Sequence, residues 1–455
     1  VLPQSLLHSL EGVKGFDRAA FEAVHQSGEQ VTSIRLNPIK WQNIKTESLP
    51  SVIIHKSPVS WCEHGFYLNE RPSFTFDPLF HAGAYYVQEA SSMFLWQVLK
   101  QTISNDSPKK VLDLCAAPGG KSTLLASYFN NGLIVSNEVI KSRAAILTEN
   151  ITKWGGDHVI VTNNDPSHFH SLKNYFDVIV IDAPCSGSGL FRKDPNAVNE
   201  WNEENVTLCS LRQQRIIADM VSSLKTDGIF IYSTCSYSVE EDENMLDFII
   251  NQFQLTSCRL QVKEDWKIIE TESLQHKAFG YRFYPDKIKG EGFFIAAFKK
   301  TNIDDDQFIN EQNILMPSKQ EVQQIQSFIS LPDEYVLFKQ SDYFRAIKKE
   351  WMHDLKLLAN QLYIKKAGVE LGTIKGKDFI PSHELALSMM QKQSLSGIEL
   401  DKEQSLQYLR RKDIFVHGNK GWNLMMYCGL TLGWAKVLPN RINNYYPPEW
   451  RILKD

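Results

Sequence analysis

The chain carries no excess of charge of either sign. Its 53 Asp plus Glu stand against 49 Lys plus Arg, a formal net charge of −4, with a pI near 6.3. Steering of the whole chain toward a polyanion is therefore not expected, although a local basic channel is compatible with these totals, because a field depends on how charge is distributed. Nor is there a run of 18 apolar residues, so no helical membrane span is expected. Cysteine is scarce: seven in 455 residues, an odd number, do not make a disulfide framework. Cys62, Cys115, Cys185, Cys209, Cys235, Cys258 and Cys428 form no pair of closely spaced ligand clusters of the zinc-ribbon kind, and no structural metal is expected. The opening VLPQSLLHSLEGVKGF lacks a positive leader, a longer apolar core and a small-residue cleavage pattern, so a reducing cytoplasm is the expected location. Tandem repeats and long low-complexity tracts are missing too. What remains is a globular composition, 43% hydrophobic and 22% charged, over a length that suggests two to four domains.

Three blocks stand out along the chain. Residues 1–75 open with a short helical stretch and continue with SIRLNPIKW and SVIIHKSPVSW, apolar runs stopped by proline that predict a small mixed α/β module able to face RNA. Residues 76–300 alternate more strongly. VLDLCAAPGG, LIVSNEV, VIVTNND, FDVIVIDAPCSG and GIFIYSTCS each read as a strand running into a turn, with helix-compatible STLLASYF and KSRAAILTENITKW between them. That is the pattern of a doubly wound, Rossmann-like α/β sheet, with ligands expected beyond the carboxyl ends of its strands. Seven acids between 304 and 334 (Asp304, Asp305, Asp306, Glu311, Glu321, Asp333, Glu334) face only Lys319, so residues 301–340 are expected to be an acidic, solvated connector. In residues 341–455, FRAIKKEWMHDLKLLANQLYIKKAG is expected to begin as a helix, and DIFVHGNKGWNLMMYCGLTLGWAKVL to form short strands of a compact β-rich domain.

The first functional anchor is VLDLCAAPGGKSTLL. Val111 to Leu114 suit a buried strand, and Pro118, Gly119 and Gly120 permit a compact turn whose backbone N–H groups, with the start of the next helix, can hold a cofactor. The GKST tail is poor evidence for a phosphate loop, because Cys115 stands where a Walker pattern needs glycine. Glu138 follows the second strand, 25 residues after Asp113, where a carboxylate can accept from ribose hydroxyls. Asp165 follows the third strand and is a candidate for a polar edge of the base. Asp182 follows FDVIVID, near both cofactor and reacting base. In DAPCSGSGL and STCSYS, Cys185 and Cys235 end two strands, and two such turns on one pocket favour chemistry in which one thiol attacks and the other assists elimination.

In these segments the chain resembles the RNA cytosine-C5 methyltransferase family. The resemblance rests on DLCAAPGGKS at 113–122, DAPCSGSG at 182–189, TCSYSVEEDEN at 234–244, GAYYVQEASSM at 83–93 and GEGFF at 290–294, and covers most of the chain, with residues 304–400 specifying it least. It implies a class I methyltransferase sheet that binds S-adenosylmethionine through Cys115, Ala116, Ala117, Pro118, Gly119, Gly120 and Lys121, with Glu138, Asp165 and Asp182 completing the pocket. It also implies Cys235 as the nucleophile toward C6, Cys185 as the residue assisting release, and Asp182 on the N3 and amino edge of the cytosine. Methylation of the amino group itself would need Pro-Pro-aromatic after the acid, and Ala183-Pro184-Cys185 stands there instead. Asp286 occupies a position where related segments often have histidine, so no catalytic duty is assigned to it.

RNA as the substrate is likewise implied by the resemblance. Phe191, Arg192 and Lys193 could steer a phosphate or cover the base, and His81, Tyr85 and Tyr86 could shape the path, although core packing suits those tyrosines equally. Arg410, Arg411 and Lys412, followed by GNKGWNLMMYCGLTLGWAK, resemble an RNA-binding PUA-like domain in placement. The whole layout points to structured RNA, 16S ribosomal RNA or the small ribosomal subunit, with no obligate protein partner. A tRNA-directed enzyme and a nonenzymatic RNA-binding assembly protein are the alternatives.

Overall fold

The computed structural model describes residues 2–44, 56–104, 106–302, 310–326, 328–329, 331–390 and 395–454. The apolar start of SVIIHKSPVSW, residues 51–55, and Asp304, Asp305 and Asp306 lie outside the described residues.

Two short helices, Gln4–Ser9 and Arg18–Gln26, open the chain, the second capped by Asp17, which accepts from the Ala20 amide. Strands β1 (Thr32–Leu36), β2 (Lys56–Pro58), β3 (Gly65–Leu68) and β4 (Tyr85–Val87) then form an antiparallel sheet in the order β2-β3-β1-β4. This front sheet thus takes in residues well past 75.

The central sheet follows the alternation in the sequence. Strands β5 (Lys110–Asp113), β6 (Leu133–Asn137), β7 (Val159–Thr162), β8 (Phe176–Asp182) and β9 (Leu224–Thr234) are parallel, in the order β7-β6-β5-β8-β9. Their apolar runs are buried on both faces, as a parallel sheet covered by helices requires. The chain winds outward from β5 to β7 and then returns to β8 on the other side of β5. Strand order reverses between β5 and β8, and the crevice at that switch point is where an open α/β sheet takes its ligand. Beyond β9 the sheet turns antiparallel: β10 (Thr256–Ser257), β11 (Ile269–Glu272), β12 (Phe279–Phe283) and β13 (Phe293–Lys299) continue it, β13 lying against β9.

The region after 300 is more ordered than its acidity suggests. Ser318 and Glu321 form a capping box on the helix Lys319–Ile325, Glu321 also meets Lys339 at 2.8 Å, and Glu311 pairs with His353 and Lys356. The segment FRAIK is a strand, not the start of a helix. Strands β14 (Tyr335–Gln340) and β15 (Tyr343–Lys348) form a hairpin whose turn carries Ser341 at φ 53°, and the helix begins only at Met352. After that helix, β16 (Ile364–Ala367) adds itself antiparallel to β7 at the edge of the central sheet. Strands β17 (Val369–Lys375) and β18 (Asp378–Pro381) complete a four-stranded sheet with β15 and β14. The last sheet, β19 (Gly397–Glu399), β20 (Gly421–Tyr427), β21 (Leu430–Leu438) and β22 (Arg441–Asn444), is the β-rich C-terminal unit, PUA-like as expected. Its core is shared with the front sheet: Ile34, Leu79 and Tyr85 pack in one cluster with Tyr408, Leu432 and Tyr446. No helix among the described residues is long and apolar enough to cross a membrane.

Candidate active site

The site forms where β5, β6, β8 and β9 end. After Asp113 the chain turns through residues 115–119 and enters the helix Gly120–Tyr128. Gly119, at φ 116°, is the residue before that helix, a conformation open to glycine and strained for other L-residues. The turn is held from outside, leaving its inner side to a ligand. The Ala116 amide donates to the Asn137 carbonyl, Arg143 donates to the Ala117 carbonyl at 2.8 Å, and Asn150 to the Pro118 carbonyl at 2.8 Å. The first amides of the helix have no acceptor within it, which makes its start a place for a carboxylate.

Carboxylates surround this turn. Asp113 is fully buried; its Oδ2 accepts from the Ser122 hydroxyl at 2.6 Å, while Oδ1 finds no hydrogen-bond partner among the described residues. Burial pushes its pKa up to about 7, against which the Ser122 hydrogen bond works. Glu138 ends β6, takes the Ile140 amide on Oε1 at 2.9 Å and faces Arg143 at 3.6 Å through Oε2. Asp182 ends β8, accepts from the Ser233 hydroxyl at 2.9 Å and meets the Lys121 ammonium at 2.8 Å; its side chain is 39% exposed and so reachable by a ligand. Lys121 in turn lies over the Phe293 ring, which the GEGFF turn supplies. The donor set fits S-adenosylmethionine: helix-start amides can take a carboxylate, and the acids at the strand ends can accept from ammonium and hydroxyl groups.

Asp165 is placed differently. Its Oδ1 caps the following short helix, accepting from the Ser167 amide and hydroxyl, and Oδ2 lies 3.9 Å from Arg215.

The two cysteines meet. Cys185, just after β8, and Cys235, just after β9, have their sulfurs 3.0 Å apart and are both half-buried. The hydrogen bond between the sulfurs, with burial second, pushes the Cys185 thiol well up. Their turns are also stitched together through backbone: the Gly189 amide donates to the Cys235 carbonyl at 2.8 Å, and the Ser188 hydroxyl accepts from the Tyr237 amide at 2.9 Å.

Several residues at the site escaped the reading of the sequence. Glu241 is buried and takes hydrogen bonds from residues in both cysteine turns. Arg282 is buried between Asp242 at 3.1 Å and Glu243 at 2.5 Å and donates to the Tyr237 carbonyl. A run of acids at a helix start reads as a solvated end, and its one signal was its position directly after the cysteine turn. Other expectations fail for steric reasons. Phe191 is in an apolar cluster with Leu6 and Phe21, and Arg192 is buried against Glu291, so these two neither steer a phosphate nor cover a base. His81 is buried, donates to the Thr75 carbonyl and lies close to Tyr446. Arg410 stacks over Phe76 and Arg411 donates to the Tyr446 carbonyl, while Arg411 and Lys412 remain exposed.

Three family models match in chain order: the N-terminal domain of 16S rRNA methyltransferase RsmF over residues 2–90, 16S rRNA methyltransferase RsmB/F over 100–299, and the methyltransferase RsmF PUA domain over 396–452. Among curated relatives, ribosomal RNA small subunit methyltransferase F of Psychromonas ingrahamii is 32% identical over 87% of this chain and 85% of its own. The protein of the same name from Aliivibrio fischeri is 30% identical over 86% and 85%. A methyltransferase homologue from Pyrococcus horikoshii of known structure superposes with a TM-score of 0.52 at 26% identity, covering 66% of this chain and all of that one.

Proposed function

The chain belongs to the ribosomal RNA small subunit methyltransferase F family, and from that premise we propose that it methylates C5 of a cytosine in 16S ribosomal RNA through a covalent bond between Cys235 and C6. Its methyl donor is S-adenosylmethionine, which when bound supplies a methyl group on a positively charged sulfur. The observation that carries the C5 reading is the pair of sulfurs 3.0 Å apart beside the Lys121–Asp182 pair. Transfer to an amino nitrogen has no use for two thiols.

In this reading the cofactor's methionine end lies against residues 115–121, with Glu138 accepting from the ribose, Asp113 near the ammonium group and Asp165 on the far rim. Asp182 faces N3 and the amino group of the cytosine, its charge balanced by Lys121. The Cys235 thiolate adds to C6, and the electron pair of the C5–C6 double bond moves toward the ring nitrogen, leaving C5 nucleophilic. C5 then takes the methyl group. Cys185 holds its proton while a thiolate sits beside it. Once Cys235 is bonded to carbon that negative neighbour is gone, so Cys185 can release its proton to water and, as the thiolate, accept the C5 proton as the C6–sulfur bond breaks and the Cys235 thiolate leaves. The base must leave its stack to reach these groups.

RNA contact is expected from the C-terminal unit, where Arg411 and Lys412 are exposed. A groove of about 720 Å³ there is lined by Phe415, His417, Lys420 and Arg441. Phe415 is 93% exposed, a ring on which an unpaired base can stack beside two cations.

The test is a comparison of two variants with RNA and cofactor. Cys235→Ala should bind cofactor and transfer nothing, whereas Cys185→Ala should accumulate an RNA-linked protein that survives denaturation. An active Cys235→Ala, or a wild-type adduct mapped to Cys185, reverses the two roles. Mapping 5-methylcytosine in total RNA with and without the gene decides between 16S ribosomal RNA and tRNA.

A further inference from the structure

Between the two cysteine turns lies a carboxylate that is hydrogen-bonded to both. Glu241 Oε1 accepts from the Ser186 amide at 2.9 Å and from the Gln213 side-chain amide at 3.1 Å; Oε2 accepts from the Ser186 hydroxyl at 2.5 Å and the Ser236 hydroxyl at 2.7 Å. Ser186 is the neighbour of Cys185 and Ser236 the neighbour of Cys235. Four donors fill the acceptor sites of a carboxylate, so the group is saturated and its geometry dictated from both sides.

Its own anchorage is rigid. The Tyr232 hydroxyl on β9 shares its one proton between the Glu241 carbonyl at 2.6 Å and Gln213 Oε1 at 2.9 Å, and the Gln213 amide nitrogen donates to Glu241 and to the Pro184 carbonyl at 3.1 Å. Next in sequence, Asp242 and Glu243 are held by Arg282, so the load of fixing this chain end falls on them. Glu241 is left with one set of partners, the residues adjoining the two thiols and the glutamine beneath them.

We propose that Glu241 is a positioning residue that sets the distance between the Cys185 and Cys235 sulfurs, and through it the rates of both adduct formation and adduct release. The inference rests on the covalent reading above. Because the attacking sulfur and the releasing sulfur serve one ring in succession, a misplacement of about 1 Å can cost on the order of 100-fold in rate. Glutamine can replace the carboxylate without losing the shape: its oxygen can take the two amide donors and its NH2 can donate to the two serine hydroxyls, which accept as well as donate.

The experiment uses full-length wild type, Glu241→Ala, Glu241→Gln and the double variant Ser186→Ala with Ser236→Ala, which keeps the carboxylate and removes both hydroxyl links. Two readouts are taken. The first is closure of the Cys185–Cys235 disulfide by the thiol oxidant diamide, followed by peptide mass mapping, which needs no RNA. The second is the single-turnover rate of forming and resolving the RNA adduct, normalised to cofactor-binding sites. Slower closure by about 10-fold or more in Glu241→Ala and in the serine double variant, near-wild-type closure in Glu241→Gln, and unchanged cofactor affinity are the expected results. Closure and adduct rates within about twofold of wild type in the alanine forms would remove Glu241 from the machinery. Should Glu241→Ala fail to fold, the serine double variant decides alone. If wild type forms no Cys235 adduct the covalent reading fails, while the diamide closure still rules on Glu241.

Discussion

Cys185 and Cys235 carry the same functional group in turns of the same kind, and their contact, together with burial, pushes the Cys185 thiol well up. Around them, single side chains carry separable tasks. Glu138→Ala should weaken cofactor binding in calorimetric titration by about 1–3 kcal/mol, the range for hydrogen bonds to a charged group, and an unchanged affinity would remove the ribose contact. Phe415→Ala should weaken binding of a large RNA by about 1–3 kcal/mol through loss of a stacking face, without altering the rate on RNA already bound; equal RNA affinity would make that ring a plain surface residue. Glu138, Asp182 and both cysteines were legible because each directly follows an apolar run that can only be a buried strand. Glu241 and the orphaned Asp113 oxygen were not, since an acid after a turn looks the same in sequence whether water or protein surrounds it.

At the level of elements, the turns after β8 and β9 work because a third turn, GEGFF, closes on them. A Cβ on Gly189 would stand 2.6 Å from the Gly292 carbonyl oxygen and 2.7 Å from that of Cys235. Gly189→Ala should therefore push the Cys235 turn outward, cost about 1–3 kcal/mol of stability as overpacking does, and lose adduct formation out of proportion to that cost. A thermal melt read beside an adduct assay checks this, and wild-type adduct formation would show that the turn can give way. Two of the segments that carry the family resemblance form a clasp: Glu89 of GAYYVQEASSM accepts from the Glu291 amide, and Ser91 donates to the Glu291 carbonyl. The misread β15 has an equally local cause. FRAIKKEW, with Arg, Ala, Glu and two Lys, has the composition of a helix, but the left-handed Ser341 turns the chain back on β14, and Phe344 and Ala346 are buried there.

Taken whole, the molecule is held together at a seam where the front sheet, the central domain and the C-terminal unit meet. His81 of the front module lies near Tyr446, and His383 sits at 5.1 Å from the Tyr446 and Trp450 rings with neither ring nitrogen hydrogen-bonded among the described residues. Burial, with Lys153 adding to it, lowers the pKa of His81 to about 4 and of His383 to about 3. Between the unfolded value near 6.5 and these folded values the unfolded chain binds more protons, so stability falls as pH falls. At pH 5 each histidine should cost about 2 kcal/mol relative to pH 8. Urea unfolding across that range should show the loss, and His383→Phe should make the slope shallower; an unchanged slope would mean that His383 meets water. The central parallel strands and the turns that end them were readable locally, because burial on both faces and a tight turn admit few residue types. That Ile364–Ala367 completes the central sheet, that Arg192, Arg410 and Arg411 contact protein, and that Glu241 joins the two thiol turns came from the packed fold alone. Those outcomes depend on which distant surfaces meet, and a charged side chain carries no local mark of whether its partner is water or another part of the chain.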